Sequence, residues 1–136
     1  MEYVEINYLA VLVCAFIPML IGAMWYGPLF GKAWMAAVGK TEEEIRKDFN
    51  PAKTYGLTVI ANFVVAYTLA RIMGYAGAAT IVDALMIALL CWLGFTAGTF
   101  YINNLFEAKP NKLLVINIFY HLTVLLAYSV ILSIWK

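Results

Sequence analysis

The sequence predicts an all-α membrane protein, an antiparallel bundle of four transmembrane helices with a short interfacial helix on the cytoplasmic side. Of 136 residues, 65% are hydrophobic and 12% are charged, and the mean hydropathy is +0.85; soluble domains carry about a quarter charged residues. The apolar residues fall in four runs of about 20 residues or more, the length that crosses about 30 Å of hydrocarbon. None of the runs alternates with period two, so helices rather than barrel strands must satisfy their backbones.

Residues 1–136 read as a single transmembrane domain, with spans expected at about 7–26, 54–73, 83–106 and 113–134. The flank before the first span, "MEYVE", has two glutamates and no Lys or Arg. It lacks the basic n-region of a cleavable signal, so a retained helix is expected. Between the first two spans, "GKTEEEIRKDFNP" predicts an interfacial helix at about 41–49. Thr41 and Glu44 have capping-box spacing, acids lead and bases follow, and Asn50-Pro51 ends it. Trp25, Tyr26 and Trp34 flank this connection and Trp135 closes the fourth span, as an aromatic belt at the headgroup level would. Cys14 and Cys91 fall inside spans and read as small packing residues.

Orientation follows from the basic residues. Lys32, Lys40, Arg46, Lys47, Lys53, Lys109 and Lys112 lie in the first and third connections, against Arg71 and Lys136 on the other side. Seven against two places both termini outside and those connections in the cytoplasm. Arg71 and Asp83 bracket the short outer turn, where an ion pair is expected. Glu107 is expected to be solvated or to accept from Lys32 or Lys112.

Small residues mark helix contacts. Gly94 and Gly98 form a GxxxG pair in the third span, continued by Ala84 and Ala88, and Ala66, Ala70 and Gly74 repeat the spacing in the second. Such ridges serve packing within the monomer or a seam between copies.

Polar groups inside the spans are expensive and therefore informative. At about 1.5 Å per residue, Asn62 and His121 both lie about 12 Å from the cytoplasmic ends of their helices. Thr96 and Thr99 fall near that level, Asn117 lies a turn closer to the cytoplasm, and Asn103, Asn104 and Glu107 lie toward the end of the third span. Asn117, His121 and Tyr128 share one side of the fourth helix. Pro18 cannot donate to the Cys14 carbonyl, which leaves that oxygen for another partner.

Taken in order, "GAMWYGPLFGKAW", "WLGF", "NNLFE" and "NIFYHL" resemble the bacterial membrane family called domain of unknown function 1761. The resemblance runs over nearly the whole chain. It implies a four-helix bacterial membrane protein and brings no activity with it.

The leading functional expectation is a homo-oligomeric transporter, channel or small-ligand-binding bundle. Its intramembrane site would use His121, Asn117, Asn62, Thr99, Asn103, Glu107 and Tyr128, with Gly94 and Gly98 packing helices. The alternative is a non-transporting scaffold or accessory subunit. The partners expected are the lipid bilayer, further copies of the chain and a small ligand or ion. Formal net charge is only +1, so nucleic acid is not among them. One histidine and two separated cysteines cannot build a zinc site. No phosphate-binding glycine loop occurs, so neither a cofactor nor enzymatic activity is expected. The expected location is the bacterial cytoplasmic membrane.

Overall fold

The computed structural model describes residues 3–47 and 49–136. Residues 1 and 2 of the flank, and residue 48 of the expected interfacial helix, lie outside the described residues. Among those described, four helical stretches are long and apolar enough to cross a membrane: Tyr8–Leu29, Pro51–Tyr75, Ile81–Glu107 and Asn111–Ile134.

The first stretch joins α1 (Tyr8–Met24) to a π turn (Trp25–Leu29). Asn7 caps α1 by accepting from the Ala10 amide at 3.1 Å. In the π turn the Phe30 amide reaches back five residues to the Trp25 carbonyl at 2.8 Å, and Pro28 and a non-helical Gly27 end the span. The chain then folds into α2 (Gly31–Val38), which composition did not foretell, and α3 (Glu42–Lys47). Thr41 caps α3 through the Glu44 amide at 3.2 Å, and Glu42 pairs with Arg46 a turn later.

Span two is α4 (Pro51–Tyr75), with Pro51 in its first turn and Asn50 as its cap. The third is α5 (Ile81–Cys91), a second π turn (Trp92–Ala97) and α6 (Gly98–Glu107). A reciprocal capping box between Thr80 and Asp83 starts α5. Asp83 Oδ2 accepts from the Ala79 and Thr80 amides at 3.1 and 3.2 Å, so its carboxylate serves its own helix. The ion pair expected between Arg71 and Asp83 is therefore not formed. Arg71 instead donates to the Tyr75 hydroxyl at 2.6 Å and lies over the Tyr67 and Tyr75 rings. A left-handed residue, Ala108 at φ 53°, ends α6, and α7 (Asn111–Ile134) returns across the bundle.

Helix α1 packs on α4 and α7, and α5 packs on α7. The seams consist largely of small side chains. Ala10, Cys14, Ala66, Ala84 and Ala88 are all fully buried, filled in by Val11, Leu69, Val124 and Leu125. That composition lets backbones approach closely, which is how helices gain dispersion energy where no hydrophobic effect operates between them. The start of α1 and the end of α7 meet at one end, where Asn7 Nδ2 donates to the Trp135 carbonyl at 3.3 Å. There Val4 also sits over Gly74, where an added Cβ would fall 2.2 Å from Val4 Cγ1. At the other end, the loop end, lie α2, α3 and the α6–α7 turn.

Candidate functional site

Two tryptophans grip α7 from opposite sides. Trp25 Nε1 donates to the Ile116 carbonyl at 3.0 Å, and Trp92 Nε1 donates to the Ile118 carbonyl at 2.6 Å. Residues two apart on a helix differ by about 200° in direction and about 3 Å in height, so the indoles meet α7 on opposite faces at one level. Each tryptophan opens a π turn, and each stands at the head of the same pattern, Trp-x-Gly-x-x-x-Gly, at 25–31 and 92–98. π turns widen a helix and re-aim side chains, and they recur at functional sites. Gly31 is required by the first: a Cβ there would stand 2.6 Å from the Tyr26 carbonyl oxygen.

Between the two gripped carbonyls sits Asn117, whose Oδ1 accepts from the Tyr26 hydroxyl at 2.7 Å. Tyr26 packs edge-on against Trp34 and Tyr120, and the Tyr120 hydroxyl donates to the Pro18 carbonyl at 3.1 Å. Trp25 and Tyr26, read from sequence as belt residues, thus turn their polar atoms into the bundle. The doubled Trp-x-Gly-x-x-x-Gly pattern was the available signal for Trp25 and Trp92.

His121 stacks on Phe100, with ring centroids 5.3 Å apart, and meets Tyr120 edge-on at 5.1 Å. Among the described residues no hydrogen-bond partner engages its ring. Asn62 lies elsewhere, donating to the Ala15 carbonyl of α1 at 3.2 Å. Equal depth did not bring Asn62 and His121 together. The carbonyls recruited around Pro18 are those of Ala15 and Pro18, rather than that of Cys14. Tyr128 is fully buried and its hydroxyl has no partner among the described residues. Thr99 and Asn103 are exposed.

At the loop end α6 and α7 part to form a cleft of about 210 Å³. Phe100, Asn103, Asn104 and Glu107 line it from α6, Leu113, Leu114 and Asn117 from α7, and Lys109 from the turn between them. Asn104 is buried and donates to Asn111 Oδ1 at 3.4 Å. Glu107 pairs with Lys109 at 2.9 Å, rather than with Lys32 or Lys112 as expected, and both side chains are about half exposed. So the cleft gathers Asn103, Glu107 and Asn117 from the expected site, with His121 behind its Phe100 wall. Asn62, Thr99 and Tyr128 do not line it.

Gly94 points away from the bundle, with nothing within 4 Å of an added Cβ, and Gly98 meets only its own helix, at 3.6 Å from the Leu93 carbonyl. Within the monomer neither glycine seats a neighbouring helix. Ala84 and Ala88 of the same ridge are buried.

These features define a small, all-helical membrane protein with four apolar spans and an open cleft between the last two helices at one end. A family model described as a protein of unknown function, DUF1761, matches residues 9–133, and the chain belongs to that family. No curated protein and no solved structure matches the chain.

Proposed function

We propose that the protein binds a small polar solute in the cleft between α6 and α7 and acts as a binding or transport bundle of the bacterial cytoplasmic membrane. The observation that carries this reading is the convergence of Asn103, Asn104, Glu107 and Asn117 on one concave site. Amides kept inside a membrane bundle cost energy, and single interhelical hydrogen bonds return on average only about 0.6 kcal/mol. Asn104 is buried and Asn117 half-buried, each with one protein partner, and a ligand in the cleft would use the hydrogen-bonding capacity that these partners leave. Seven of nine basic residues lie at the cleft end, which supports an opening to the cytoplasm with both termini outside.

The test is reconstitution in liposomes with flux and binding assays on Asn117→Leu and Leu113→Trp. Both variants should fold and lose any activity that the parent protein displays. Unchanged flux and binding in folded variants would sink the cleft.

A second reading, a scaffold or an assembly of identical copies, is favoured by the bare Gly94 surface beside exposed Leu90 and Leu93. A crosslinked species in native membranes that disappears in Gly94→Leu would support it. A crosslinking pattern indifferent to that change would count against it.

A further inference from the structure

The two amides at the inner end of the cleft are not free to present either face. Asn117 Oδ1 is engaged by the Tyr26 hydroxyl at 2.7 Å, so its Nδ2 is left to donate. Asn104 spends a donor on Asn111 Oδ1 at 3.4 Å, so its own Oδ1 is left to accept. One wall of the cleft thus offers a donor and the other an acceptor, with Phe100, Leu113 and Leu114 as apolar packing. The charges that line the cleft are Glu107 and Lys109, which neutralise each other where the side chains are about half exposed. An ion at the inner end would lose water and meet no counter-charge.

From this complementarity we infer that the ligand is a small uncharged solute of the carboxamide or urea type, its carbonyl accepting from Asn117 and its N–H donating to Asn104. The inference rests on the cleft being the binding site. Tyr26 is then a positioning residue, because its hydroxyl decides which face of Asn117 meets the solute. The first π turn matters to selectivity in the same way, since it aims Tyr26.

The experiment uses the full chain in lipid nanodiscs and ligand-observed saturation-transfer NMR, with acetamide, acetate and N,N-dimethylacetamide as probes. Acetamide should bind, with acetate and dimethylacetamide each about tenfold weaker, the worth of one hydrogen bond. Asn117→Asp should lose acetamide by a similar factor. Tyr26→Phe keeps the amide but frees it to flip, so it should weaken acetamide and dimethylacetamide together, because both rely on the Asn117 donor. Acetate binding as well as acetamide, or a Tyr26→Phe protein that binds acetamide undiminished, would overturn the solute class and leave the cleft standing. Acetamide binding that survives Leu113→Trp, or no transfer to any probe, would overturn the cleft and the solute class together.

Discussion

Gly31→Ala is expected to weaken the fold at the point where the chain leaves the first span. The added Cβ would lie 2.6 Å from the Tyr26 carbonyl oxygen, whereas ordinary contact begins at 3.4 Å, so 0.8 Å must open. The obstacle is backbone, which cannot rotate aside as a side-chain tip does. Overpacking of this kind costs about 1–3 kcal/mol. Alanine's helix propensity returns up to about 1 kcal/mol. The shift also moves Tyr26, whose bond to Asn117 is worth about 0.6 kcal/mol if average for a membrane helix pair. The balance is a loss of about 1–2 kcal/mol. Gly94→Ala is the matched control, since its Cβ meets nothing within 4 Å, and it should gain up to about 1 kcal/mol from propensity alone. Reversible unfolding in mixed micelles, titrated with sodium dodecyl sulfate and followed by tryptophan emission, would measure both. If Gly31→Ala proves as stable as Gly94→Ala, the close approach under the π turn does not exist.

Other residues yield shorter tests in the same unfolding assay. Tyr128→Phe removes a buried hydroxyl that has no partner among the described residues, so it should stabilise by about 1 kcal/mol or more; a loss of stability would mean the hydroxyl is bonded. Trp92→Phe forfeits the 2.6 Å bond to the Ile118 carbonyl together with ring volume, and should cost about 2 kcal/mol; a change under half that would show the indole grip is idle. Ala108→Gly relieves a left-handed alanine and should add about 1 kcal/mol; an unchanged midpoint would refute the strained turn.

The spans were legible because a chain facing lipid must write about 20 apolar residues per crossing. Azimuth was not. The α7 helix is apolar nearly all round, so periodicity cannot say which side faces in, and depth counting gave Asn62 and His121 a shared level without a shared direction. Asn62 in fact serves α1, and His121 lies against α6. The Arg71–Asp83 pairing failed for a local reason: a carboxylate three residues past a threonine at a helix start closes a capping box before it seeks a distant cation. At Trp25 and Tyr26 the sequence said nothing of direction. Amphipathic rings near a span end suit the headgroup region, and only the π turn, which sequence periodicity does not report, re-aims them inward. The small-residue ridge was readable at Ala84 and Ala88, which are buried, but spacing alone could not distinguish them from Gly94, which faces outward.

With an indole hydrogen-bonded to either flank of α7 at one height, twisting that helix would strain both bonds at once. The fourth span is therefore held on both flanks. Any widening of the cleft must come from its other wall, α6, pivoting where the second π turn joins it at Gly98. Of the cleft's two walls, the ten residues of α6 are the ones that carry neither indole tie.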